Sequence, residues 1–143
     1  MKRQSKAEEA LNKQIRTIEP EGLHLDCCIY GLSLSRDASL AAITSTSLDK
    51  EQGKLYDLRS GERLIGVADA TYGEPKFSPN GTKVLFDVYH GLALFDVPSR
   101  RAIELPEHFN CSEAAFSPDG RFLAIHSFEH YVAILAIDDG PRR

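Results

Sequence analysis

No stretch of this chain is long and apolar enough to cross a bilayer. The longest apolar runs, such as Tyr131-Val132-Ala133-Ile134-Leu135-Ala136-Ile137, are strand length, well short of the roughly 18 to 20 residues a helical span needs. Cysteine is scarce: Cys27, Cys28 and Cys111 form neither a Cys-x-x-Cys pair nor an even set, which argues against a zinc site and a disulfide framework. They read as small buried hydrophobes. Positive charge is short as well. With 17 Lys and Arg against 21 Asp and Glu, the net charge is −4 with both signs interleaved, so there is no basic stripe to track phosphates, and nucleic acid is not an expected partner. The opening Met1-Lys2-Arg3-Gln4-Ser5-Lys6 leads into Ala-Glu-Glu rather than an apolar stretch, so no secretion signal is recognised and a cytoplasmic location is the expectation. The glycosylation patterns at Asn80-Gly81-Thr82 and Asn110-Cys111-Ser112 then read as chance.

Catalytic signatures are missing too. There is no phosphate-binding glycine loop, nucleophile elbow or zinc-protease helix. Gly31-Leu32-Ser33-Leu34-Ser35 has Gly-x-Ser but lacks the closing glycine and falls within an expected strand, so Ser33 is not read as a nucleophile. His126 and His130 are four apart, a metal spacing on a helix; on a strand the interval is roughly 13 Å, too far for one ion. The expectation is a non-catalytic protein with no metal and no cofactor.

What the chain does have is a repeat. Phe77-Ser78-Pro79-Asn80-Gly81 returns as Phe116-Ser117-Pro118-Asp119-Gly120, 39 residues on (116 − 77), and Leu34-Ser35-Arg36-Asp37-Ala38 precedes it by 43 (77 − 34). That period is one small antiparallel sheet. In each complete marker proline sets the first central turn position, Asn or Asp tolerates the second, and glycine takes the positive φ that closes the hairpin. Apolar strands follow at residues 39–44, 83–88 and 121–126, nearly continuous in character and so expected to be buried on both faces. Third strands are expected at 54–58, 92–97 and 132–137, and short fourth strands at 63–67 and 101–105. Asp57 and Asp96 close equivalent strands, which points to a structural duty, accepting backbone N–H bonds at the next turn. The third copy stops after its third strand, while Arg16-Thr17-Ile18-Glu19 lies upstream of the first marker where a fourth strand belongs. Ser5-Lys6-Ala7-Glu8 has the form of a capping box, and Ala7, Leu11, Ile15 and Ile18 recur at helical spacing. The division expected is a helical extension over residues 1–14 and a repeat domain over 15–143.

Four antiparallel strands per period is a β-propeller blade, and the markers resemble the WD-repeat family and its bacterial relatives with Ser-Pro-Asp-Gly turns. The resemblance covers residues 16–140. Tyr56-Asp57 and Phe95-Asp96 stand where that family has Trp-Asp, but there is no tryptophan, no Gly-His pair precedes a first strand, and Leu135-Ala136 replaces the third pair. The family's buried Asp-His-Ser-Trp network therefore cannot form. The resemblance implies an all-β fold of three four-stranded antiparallel propeller blades with a short N-terminal helix.

A ring needs at least four blades, so three leave two outer faces open, with Leu40, Ile43, Phe122 and Ile125 at risk of exposure. A homodimer closing a six-bladed ring is the leading expectation; a cap by the N-terminal helix, through Leu11 and Ile15, and blades from another chain are the alternatives. Asp26, Asp69, His90, His108 and His130 fall in loops expected at one ring face, where Tyr72, Tyr89, Phe109, Phe128 and Tyr131 add aromatic side chains. The protein-binding candidates are Tyr89, His90, His108, Phe109, His130 and Tyr131. The function expected is a protein-interaction or scaffold module. The alternative is an accessory propeller beside a separate enzyme, of the hydrolase-gating or periplasmic kind.

Overall fold

The computed structural model describes residues 29–46, 50–71, 73–89, 91–105, 111–127 and 129–137. Within them the chain is all strand and turn. The first sheet holds β1 (Ile29–Leu34), β2 (Leu40–Ser45), β3 (Gly53–Asp57) and β4 (Arg63–Val67), in that order across the sheet. The second holds β5 (Lys76–Phe77), β6 (Lys83–Val88), β7 (Gly91–Asp96) and β8 (Arg101–Ile103). The third holds β9 (Cys111–Phe116), β10 (Phe122–Ser127) and β11 (Val132–Ala136). Every pairing is antiparallel between consecutive strands. The third sheet has three strands among the described residues; the expected helix over 1–14 and the strand near residue 16 lie outside them.

The repeated marker is a hydrogen-bond device. Ser35, Ser78 and Ser117 each donate Oγ–H to the side-chain oxygen two residues on, Asp37, Asn80 and Asp119, at 2.9, 3.0 and 2.7 Å. The same Oγ accepts the N–H of Leu40, Lys83 or Phe122, each at 3.0 Å. Each Asp or Asn oxygen also accepts the N–H two residues further, from Ser39, Thr82 or Arg121 at 3.0 Å. The carbonyl of each serine accepts the N–H of Ala38, Gly81 or Gly120 at 2.9 Å. Those three residues have φ of 58°, 73° and 75°, the left-handed region that glycine enters without a Cβ clash. Ala38 is the costlier copy, held by the same bonds.

These turns give acid sensitivity a sign. Hydrogen bonds from the Ser39 hydroxyl and N–H, then from Ser35, pull Asp37 from the usual 3.8 to about 2. Bonds from Ser117 and the Arg121 N–H lower Asp119 in the same way. A carboxyl whose pKa falls on folding stabilises the fold above its unfolded value, and that contribution fades as the pH drops through the folded one. Asp37 therefore supports the fold fully above about pH 4 and loses its effect toward pH 2. Asn80 fills the same role uncharged, so Asp37→Asn is expected to fold normally at neutral pH and to lose less stability than wild type between about pH 5 and pH 2.5, read from urea midpoints.

Packing alternates with strand period two. The first core joins Ala42, Leu55, Ile65 and Val67 of the first sheet to Val84 and Phe86 of the second, with Ala70 from the connection. The second joins Leu85 and Leu94 to Ala114, Leu123, Ile125 and Ile137. β6 thus sends alternate side chains into both cores, which is why it reads as a continuous apolar run. β10 does not match that expectation: Leu123 and Ile125 are buried while Phe122 is 38% exposed. Ile125 lies an odd number of residues from Phe122 and so faces the second sheet, correcting its expected exposure. Ile43 is buried as well and Leu40 half-buried. Among the large apolar side chains left open are Leu32 and Leu34 on β1, and Phe122, Val132 and Ile134 on the third sheet.

Candidate interaction face

Strand direction sorts the connections into two ends. Each serine marker joins a first strand to a second at one end, where the turns after the third strands also lie. At that end the Asp57 carboxylate accepts from the N–H of Arg59 at 2.8 Å and of Ser60 at 3.3 Å. The Asp96 carboxylate accepts from the N–H of Ser99 at 3.1 Å, and hydrogen bonding from Ser99 lowers its pKa. Both serve the following turn, as their equivalent positions imply.

The opposite end gathers the start of β1, the β2–β3 and β6–β7 connections and the link from β4 to β5. There a pocket of about 340 Å³ is lined by Tyr30, Ser45, Thr46, Gln52, Asp69, Ala70, Thr71 and Tyr89. Tyr30 sits at a register shift between Ile29 and Gly31 in the β1–β2 ladder, a bulge of the kind that re-aims a side chain. The link from the first sheet runs beside β6: Ala70 bridges Val88, and the Thr71 N–H donates to the Asp87 carbonyl at 2.8 Å. The N–H of Asp69 donates to Gln52 Oε1 at 2.9 Å, and its carbonyl accepts the Tyr89 N–H at 3.1 Å. Asp69 is thereby held at φ 62°, where Asp is among the few residues tolerated.

Of the residues singled out from the sequence, Tyr89 lies in this pocket, 74% exposed, together with Asp69. His130 and Tyr131 occupy the β10–β11 connection, the corresponding place in the third sheet. His130 has φ 70° and its N–H donates to the Ser127 carbonyl at 3.1 Å; that turn separates it from His126 on β10. His90, His108 and Phe109 lie outside the described residues, as do Asp26, Tyr72 and Phe128. Tyr30, Ser45, Gln52 and Thr71 were not anticipated. Counting strand reversals from each marker would have placed all four at this end.

A second groove, about 450 Å³, runs along the first strands and includes Ser33, Glu74, Lys76 and Ala114. Two of its polar side chains join sheets. Ser33 Oγ donates to the Pro75 carbonyl and Lys76 Nζ to the Ala114 carbonyl, each at 2.5 Å. Ser33 is thus a fastener between sheets, with no base in hydrogen-bond contact. Burial raises the Asp87 pKa, with Lys76 pulling it partly back. Among the described residues no three His, Cys, Asp or Glu side chains form a metal-holding group, and no helix is long and apolar enough to cross a membrane.

The three antiparallel sheets find counterparts in two solved β-propellers. TolB from Acinetobacter baumannii superposes with a TM-score of 0.60 at 22% identity, over 80% of this chain and 31% of its own. KlHsv2 with loop 6CD replaced by a Gly-Ser linker superposes with a TM-score of 0.51 at 12% identity, over 80% of this chain and 37% of its own. The fold is β-propeller-like. The sheets are accordingly its blades, and the chain spans about a third of the length of either structure. No protein-family model and no curated protein sequence matches it.

Proposed function

We propose that this chain is a non-catalytic protein-interaction module of WD-like propeller blades that completes its ring by pairing with a second copy. The observation carrying the reading is a broken equivalence between blades. In the second blade Leu85 of β6 pairs with Leu94 of β7, and both are buried against the third blade. The matching pair in the third blade is Ala124 with Ile134. Ile134 is 61% exposed and Val132 beside it 62%. The third blade therefore presents an apolar face built like the one that holds the next blade, with no blade on it among the described residues.

On the first blade the outward face is mixed: Ala41, Ile43, Lys54 and Tyr56 are buried in the single chain, while Leu32 and Leu34 of the edge strand β1 are exposed. Leu34 pairs with Ala41 as Phe77 pairs with Val84 in the second blade. Phe77 and Val84 pack in the first core, while Leu34 is 57% exposed. One chain thus offers the open face of the third blade and the exposed Leu32–Leu34 edge of the first as the two sides of the proposed contact. Two copies related by a two-fold axis would satisfy both at once, closing six blades. If several hundred Å² are covered at each junction, about 25 cal/mol per Å² amounts to many kcal/mol before the cost of association.

The edge of β11 lacks a neighbour among the described residues. The proposed closure places the segment near Arg16-Thr17-Ile18 of the partner copy there as the missing fourth strand. Hydrogen exchange tests this: the outward amides of Val132–Ala136 are expected to be protected at high protein concentration and to lose protection on dilution. Fast exchange at every concentration would remove the reading. With mixed surface charge and no constellation of catalytic groups among the described residues, a cytoplasmic scaffold role is preferred here to an accessory propeller serving an enzyme.

A further inference from the structure

We propose that the pocket between the first and second blades receives a basic side chain, arginine or lysine, from a partner protein. The inference rests on the protein-interaction reading and specifies the chemistry of the partner.

Asp69 provides the charge. Its N–H and carbonyl are both engaged, by Gln52 and Tyr89, so the backbone that carries the carboxylate is fixed. The carboxylate itself makes no hydrogen bond or ion pair among the described residues. Two tyrosines complete the pocket, Tyr30 at the β1 bulge and Tyr89 at the β6–β7 turn.

One carboxylate without a partner among the described residues and two aromatic rings favour a cation with N–H donors. Ammonium and guanidinium groups are attracted to aromatic faces, and they hydrogen-bond strongly to carboxylates. An anion would be repelled by Asp69, and a wholly apolar group would take water from its carboxylate without replacing it. The volume of about 340 Å³ is near the lower end for ligand pockets, which suits one side chain better than an extended ligand. The net charge of −4 adds a general attraction for a basic partner.

The test uses the full chain labelled with ¹⁵N and three capped peptides, Gly-Arg-Gly, Gly-Lys-Gly and Gly-Glu-Gly. Saturable shifts are expected at the amides of Asp69, Thr71 and Tyr89 with the arginine or lysine peptide and none with the glutamate peptide. Asp69→Asn keeps a residue that tolerates positive φ and removes the charge. It is expected to weaken binding about tenfold with the rest of the spectrum unchanged, the loss of a charge-assisted contact. Tyr89→Ala should weaken it about threefold through the lost ring face. Absence of saturation with both basic peptides, equal response to the glutamate peptide, or an Asp69→Asn variant that binds as well as wild type would overturn the assignment. The peptide titration and the mass of the assembly are read separately, so the pocket can fail while ring closure stands, and the reverse.

Discussion

Replacing Phe86 with alanine is expected to cost about 3 to 5 kcal/mol of stability, a large share of the roughly 5 to 15 kcal/mol that holds a domain together. The ring is fully buried and meets Phe95 edge to face, with centroids 6.2 Å apart and planes at 85°. It also lies over Gly53 of the first blade, where an added Cβ would come within 2.9 Å of the Phe86 ring and of Val67 Cβ. The absent side chain at residue 53 and the large one at 86 form one fitted contact, so truncating Phe86 opens a cavity that close packing on both sides cannot readily fill. Urea denaturation reads the loss directly. A change below about 1 kcal/mol would mean that the first two blades do not depend on this core.

Substituting Ile134 with aspartate should have its largest effect elsewhere. The side chain is 61% exposed on the open face of the third blade, so a carboxylate there meets water in a single copy and costs the fold little. In the proposed assembly the same carboxylate would be buried without a partner, at several kcal/mol. Self-association should weaken by about a hundredfold or more, with the far-UV circular dichroism of wild type retained. Unchanged association would exclude this face from the contact. Leu34→Asp, on the exposed edge strand of the first blade, should act in the same way, because a two-fold arrangement uses both sides at each junction.

The blades were readable because local chemistry defines them. Ser-Pro-Asn-Gly and Ser-Pro-Asp-Gly supply the two side-chain oxygens and the glycine of the observed turn network, which closes with the N–H groups of the next two residues, six residues of chain in all. Even the first copy, with Arg36 and Ala38 in place of proline and glycine, keeps the two oxygens that matter, those of Ser35 and Asp37. Strand ends were less readable: β8 is Arg101–Ile103 where residues 101–105 were expected, and its partners on β7 stop at Leu94.

Exposure required more than apolar character. Phe122 and Ile125 look alike in sequence, and only their opposite parity along β10 decides which one meets the second blade. The pocket was the least legible feature. Its lining comes from short pieces at residues 30, 45–46, 52, 69–71 and 89, brought together by strand pairing and not by any spacing along the chain. Asp69 and Tyr89 were recognisable as loop residues at one end, but their mutual bond through the Tyr89 N–H depends on the link between blades lying alongside β6.

The central claim is that three blades present faces which a second copy completes. Light scattering on the purified chain across a range of concentrations tests it most directly. The proposed ring predicts a mass of 2 × 15.9 kDa, about 31.8 kDa, falling toward the single-chain value with Ile134→Asp. A concentration-independent mass near 15.9 kDa for wild type would contradict it.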